Sequence, residues 1–195
     1  MASLARGPCR AGGDRYAGRV HAVDPFRRFV AIDVEVASRR PLRVCSVGAI
    51  RVEDGEETAH VEALVRIDGP IAYSRIHGLT AAELRRAPEW PAVWPSIVDL
   101  AAGVRQFVAF RAEFDRGAIL TMCSRHGLRP PPLPFVCVAS IAEKRFGESR
   151  TLGEYLARLG IEYPGKPHDA LSDARAAAAL LLAVERTPGW RPAQA

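Results

Sequence analysis

An apolar run broken twice, by acids one step apart, constrains this chain more than any other feature: Phe29-Val30-Ala31-Ile32-Asp33-Val34-Glu35-Val36-Ala37. Side chains alternate between the two faces of a strand, so Val30, Ile32, Val34 and Val36 take one side and Asp33 and Glu35 share the other. Neighbouring carboxylates on a largely buried strand repel each other and lose hydration. Cations relieve both penalties, and hard oxygen ligands suit Mg²⁺ or Mn²⁺. The alternative is an edge strand whose acids face water.

Nearly half of the 195 residues are hydrophobic (48%), enough for one buried core, and the size favours a single domain over residues 29–187. Residues 1–28 read as a flexible Arg- and Gly-rich leader, and residues 188–195 as a short tail. The stretch from Met1 to Gly18 has no apolar centre, which excludes a signal peptide and a membrane span there. A formal net charge of +5 permits an acidic partner such as nucleic acid. All but two of the basic residues, Lys144 and Lys166, are Arg, a bias that codon usage explains as readily as phosphate binding. The four cysteines (Cys9, Cys45, Cys123, Cys137) form no CxxC pair and fit reduced thiols in a cytoplasmic protein. Cys123 and His126 have half of a zinc spacing, and no second pair follows.

Residues 29–36, 44–52 and 60–67 read as three meandering strands, with Asp54-Gly55-Glu56 as a turn. Thr80 and Glu83 mark a helix start over residues 80–86, and a second short helix spans 95–103. Residues 106–110 form a brief strand, 113–126 a helix closed by Gly127, 135–138 a last strand, and 152–159 and 170–185 helices. Trp90 and Trp94 read as core or cover residues rather than a stacking platform. The order of elements describes an α/β domain with a mixed sheet of five strands.

Three polar residues complete a chemical set with the two acids: Asp115 near the start of a helix, then His168 and Asp173 around the start of the last one. Carboxylates holding two cations roughly 3.5 to 4 Å apart are what two-metal phosphoryl transfer needs. A nearby histidine, with its near-neutral pKa, can take a proton from attacking water. Each residue also has a plainer reading: a helix-start acid for Asp115, a cap or solvent-facing acid for Asp173, a surface histidine for His168. Other chemistries lack their motifs. Gly13 to Gly18 has the glycine spacing of a phosphate loop without its Lys-Ser/Thr, and neither GxSxG nor a strand-borne GxGxxG occurs.

The blocks Ala31 to Glu35, Phe114-Asp115 and His168 to Asp173, in that order, resemble the DEDDh exonucleases of the ribonuclease H-like superfamily, which include the epsilon subunit of bacterial DNA polymerase III and ribonuclease T. Ile76-His77-Gly78-Leu79-Thr80 and Leu152 to Ile161 look like two further family segments, so the likeness spans about Val30 to Glu185. The resemblance implies a ribonuclease H-like fold and removal of nucleoside 5′-monophosphates from 3′ ends with two Mg²⁺ or Mn²⁺ ions. It implies that Asp33, Glu35 and Asp173 bind metal directly, that Asp115 holds the second ion directly or through water, and that His168 is the general base. His77, Gly78, Leu79 and Thr80 would place the terminal nucleotide.

Two departures stand out. Phe110-Arg111 replaces the family's usual His-Asn, so Arg111 either grips a phosphate or competes with metal for Asp115. Val36 and Ala37 replace small hydroxyl residues at the terminal sugar. The expected partner is the 3′ end of single-stranded nucleic acid, DNA or RNA, with no membrane; nothing argues against a homodimer. The short stretch after the last helix offers no polymerase-docking tail. The rival reading is a weakly active or inactive nucleic-acid-binding module or complex subunit, and a lesser one is a nuclease for dinucleotides.

Overall fold

The computed structural model describes residues 26–186, so the expected leader and tail lie almost wholly outside the described residues. Strand β1 (Arg28–Arg39) runs antiparallel to β2 (Leu42–Glu53), and β2 antiparallel to β3 (Glu56–Leu64). Helices α1 (Ser74–His77), α2 (Ala81–Arg86) and α3 (Trp90–Leu100) lead to β4 (Phe107–Ala109), which lies parallel to β1. Helix α4 (Ala112–Arg125) then precedes β5 (Phe135–Cys137), parallel to β4, and α5 (Val138–Phe146), α6 (Leu152–Arg158) and α7 (Ala170–Arg186) follow. The sheet order is β3-β2-β1-β4-β5, the mixed five-stranded sheet expected.

The alternation in β1 divides the core as its sequence dictates. Val30, Ile32, Val34 and Val36 pack with Trp90, Val93 and Ile97 of α3 and with Ile119 and Met122 of α4. Phe29 and Ala31 face the other way, onto Tyr155, Leu156, Ala177 and Leu181 of α6 and α7. Asp33 and Glu35 continue that second row, toward the start of α7.

Several boundaries differ from the sequence reading. The third strand stops at Leu64 rather than Ile67, because the Arg66 and Ile67 amides donate to Pro88 and Leu84 carbonyls and leave the sheet. Helix α3 begins at Trp90, five residues before the expected start; Pro91 sits in the first turn, where its missing N–H costs nothing, and Pro95 lies inside. Trp90 and Trp94 stack at 5.2 Å between centroids and are both buried, as core residues. Helices α1 and α5 had no sequence signal: neither Tyr73 nor Cys137, their N-cap residues, makes a side-chain cap bond. Where the signal exists it holds, with complete capping boxes at Thr80–Glu83 and Thr151–Glu154.

Candidate active site

Asp33 lies opposite Gly48 of β2 in the antiparallel ladder, and the register shifts just beyond Glu35. The start of α7 crosses directly over Gly48. A Cβ at that glycine would lie 2.1 Å from the Leu171 nitrogen and 2.2 Å from the Ala170 carbonyl carbon, so only glycine lets the helix descend this far. The descent carries Asp173, in the first turn of α7, to the acids of β1. Asp115 arrives from the opposite layer. It sits in the first turn of α4, is 3% exposed, and one of its oxygens accepts the Val34 amide at 3.1 Å.

His168 comes from the loop before α7, where its backbone adopts φ 64°, a left-handed conformation uncommon for a residue with a side chain. Neighbouring bonds hold it there. Its own amide donates to Asp173 Oδ1 at 3.2 Å, and the Tyr163 hydroxyl donates to the same oxygen at 2.6 Å. Asp169 Oδ2 accepts both the amide (3.0 Å) and the hydroxyl (2.6 Å) of Ser172, whose Oγ in turn accepts the Lys166 amide at 3.3 Å. Gly165, at φ 115°, passes so close to Ser172 that a Cβ would come within 2.3 Å of its Oγ. One donor atom each from Glu35, His168 and Asp173 lie within 4.8 Å of one another.

Crowding shows in the acidities. Burial first, then the charges of Asp115, Asp173, Glu35 and Asp169, push the Asp33 carboxyl well above the usual range. Burial and then Asp173, Asp115 and Asp169 push Glu35 up to about 8. Asp115 is raised to about 7 by burial, against the opposing pull of the Val34 amide. Burial also raises Asp173, opposed by the bonds from Tyr163 and His168. Such a set resists ionising together until a cation compensates it, and its carboxylate oxygens fit hard divalent ions.

The residues expected to touch substrate are less uniform. His77 is buried at 6% exposure; its Nδ1 accepts the Leu79 amide at 3.1 Å and its Nε2 lies 3.9 Å from the Cys45 thiol, so the ring braces the loop from within. Gly78 ends α1 at φ 80°, and a Cβ there would lie 3.4 Å from Lys166 Nζ, which puts the loop of residues 76–80 beside the His168 loop. Leu79 is half-buried, and Thr80 caps α2. The Val36 side chain packs into the core opposite the acids, so the expected side-chain contact with substrate is corrected to a packing role. Arg111 is exposed, its guanidinium carbon 6.0 Å from the Phe110 ring centroid, and forms no ion pair with Asp115. Cys123 is buried and His126 exposed, with no metal cluster around them among the described residues.

Sequence reasoning missed Gly48, Tyr163 and Gly165, whereas Asp169, which the sequence offers as an alternative cap for the last helix, takes that part by accepting the Ser172 amide. Gly48 had a signal, a glycine inside an apolar strand, which marks a bulge or a close approach. Tyr163 had none, because a tyrosine ten residues before an acid in a loop has no fixed geometry.

The model of an exonuclease family, the ribonuclease T type, matches residues 30–181. The chain belongs to this exonuclease family. No curated protein matches the sequence. Among solved structures, this exonuclease domain is similar to exonuclease X in complex with 5′-overhanging duplex DNA, at 25% identity and TM-score 0.67, covering 84% of this chain and 94% of that one. It is also similar to the nuclease domain of 3′hExo, a DEDDh family member bound to rAMP, at 18% identity and TM-score 0.69 (82% and 90% covered). S. pombe Pop2p in its Mg²⁺- and Mn²⁺-bound form gives 14% identity and TM-score 0.63 (80% and 82% covered). The exonuclease domain has the ribonuclease H-like fold of these structures.

Proposed function

We propose that this exonuclease domain, residues 29–187, removes nucleoside 5′-monophosphates one at a time from the 3′ ends of single-stranded DNA or RNA. The observation that carries the reading is the convergence of Asp33 and Glu35 from β1, Asp115 from α4, and His168 and Asp173 from α7 and its loop. Asp33, Glu35, Asp115 and Asp173 would hold two Mg²⁺ or Mn²⁺ ions. Bound there, the ions would neutralise the carboxylates and bear charge that develops on the phosphate. Asp115, fixed to the Val34 amide, keeps α4 in register with β1, so acids from both layers stay aimed at one point. His168 stands at the exposed rim and accepts the proton of the attacking water, its ring placed by the backbone bond to Asp173. Neighbours solved with rAMP and with duplex DNA support a nucleic-acid substrate, and a neighbour holding Mg²⁺ and Mn²⁺ supports the ions.

Cytoplasmic residence belongs to the same reading, supported by the free thiols of Cys45, Cys123 and Cys137. No helix among the described residues is long and apolar enough to cross a membrane.

The roles separate by mutation. Asp33→Ala and Asp173→Ala should abolish release of mononucleotides, whereas His168→Ala should lower kcat by about 10²- to 10⁴-fold with Mn²⁺ affinity, read by titration calorimetry, nearly unchanged. Folded Asp33→Ala and Asp173→Ala proteins with full activity would remove the assignment.

A further inference from the structure

At the far end of β1, four residues past Glu35, Arg39 is exposed and lies over two rings, its guanidinium carbon 5.3 Å from the Phe114 centroid and 5.9 Å from that of Tyr73. Phe114 immediately precedes Asp115 in α4, so one ring of this aromatic seat and one of the four acids share the first turn of that helix. No carboxylate among the described residues pairs with Arg39. The contrast is with Arg27, Arg28, Arg51 and Arg175, all of which ion-pair with Asp54, Glu53 or Glu57 around the opposite end of the β2–β3 hairpin. Beside Arg39 opens a cavity of about 450 Å³ lined by Ser38, Arg39, Arg40, Ala72 and Tyr73.

The turn that carries Arg39 is tied down. Ser38 Oγ donates to the Pro41 carbonyl at 2.6 Å and accepts Arg43 Nε at 2.9 Å, while the Arg43 guanidinium donates to the Asp68 and Pro70 carbonyls at 2.9 and 2.6 Å. The Ala72 amide donates to the Ala37 carbonyl at 2.8 Å, which fixes Tyr73 against the same strand. An unpaired guanidinium stacked on rings keeps its edge N–H donors free, and that edge matches a phosphate diester. At about 3.3 Å per strand residue, and with the register shifts between Glu35 and Ser38 shortening the path, Arg39 stands at most about 13 Å along β1 from Glu35. That reach is beyond the scissile phosphate and within the next few nucleotides of the same strand.

We propose that Arg39, seated on Tyr73 and Phe114, grips a backbone phosphate upstream of the cleaved bond and so makes the enzyme favour oligonucleotides over dinucleotides. The kinetic part of this inference rests on the nuclease reading; the binding part does not. The test compares wild type, Arg39→Gln and Arg39→Lys on a dinucleotide and a decanucleotide of thymidylate, and on the matching uridylates. Hydrolysis is followed with Mg²⁺, and decanucleotide binding is measured in EDTA across a salt series. In Arg39→Gln the advantage of decanucleotide over dinucleotide in kcat/KM should shrink about tenfold through KM. The slope of log Kd against log salt should flatten by about 0.7, the loss of one phosphate contact on a single strand. Arg39→Lys should keep the slope. Equal losses on both lengths, or an unchanged slope in Arg39→Gln, would overturn the proposal. Wild-type protein that hydrolyses nothing while Arg39→Gln flattens the slope would sink the nuclease reading and leave the phosphate grip standing.

Discussion

Asp173 illustrates how much a single oxygen decides at the residue scale. Its Oδ1 takes two donors, the Tyr163 hydroxyl and the His168 amide, and one of its carboxylate oxygens lies within 4.8 Å of donor atoms of Glu35 and His168. Partners that orient a metal-binding carboxylate are typically worth 10- to 100-fold in affinity or rate. Tyr163→Phe removes one donor and keeps the ring, so Mn²⁺ affinity should fall by roughly 10-fold while thermal stability without metal changes little. Calorimetric Mn²⁺ titration and a melting curve check this; equal Mn²⁺ affinity in the variant would mean that Tyr163 only packs. Asp33 and Glu35 were legible from strand alternation, and Asp115, His168 and Asp173 from the ordered blocks that carry the family resemblance. Tyr163 and the inward turn of His77 were not, since both depend on where a loop folds back, which no local pattern encodes.

Among the elements, the contact that matters most is α7 on β2. Gly48 admits the backbone of Ala170 and Leu171 to distances no side chain permits, and Asp173 rides on that approach. Gly48→Ala must push α7 off the sheet. The expected cost is about 1–3 kcal/mol, a loss of roughly 2–4 °C in Tm per kcal/mol for a domain of this size. A displacement near 1 Å at the acids can lower turnover by about 10², so kcat should fall more than stability alone explains. Melting and steady-state kinetics on one preparation decide, and a variant with unchanged kcat would show that α7 does not set the site. The strands were readable from alternation, α4 from its helical spacing and closing Gly127, and α7 from its Ala- and Leu-rich run, with their ends off by a few residues. Helix α5 escaped because it springs straight from β5 through Cys137, with no capping side chain to announce it.

Taken as a whole molecule, the domain gathers four carboxyls whose pKa values are all raised, and that has a consequence for stability. Groups such as Glu35 (about 8) and Asp115 (about 7) hold protons in the folded, metal-free protein that the unfolded chain has already released near pH 4 to 5. The folded state therefore binds more protons across this window, and stability without metal falls as pH rises from 5 to 8. Mg²⁺ competes with those protons, so the rise in Tm that it produces should be small at pH 5 and reach about 5–10 °C at pH 8 for a concentration near 100 times Kd. An equal rise at both pH values would place the ions elsewhere. The global layout, a sheet with one acid-bearing strand at its centre, was legible from the order of elements, whereas the convergence of α4 and α7 on that strand emerges only from packing. The most direct measurement follows a single-stranded oligonucleotide labelled at its 5′ end, incubated with the full chain and Mg²⁺ or Mn²⁺, beside EDTA and Asp33→Ala controls. A metal-dependent ladder that shortens from the 3′ end and vanishes in the variant is the predicted result. Release of the labelled 5′ nucleotide first, or no products from either DNA or RNA by folded protein, would contradict it.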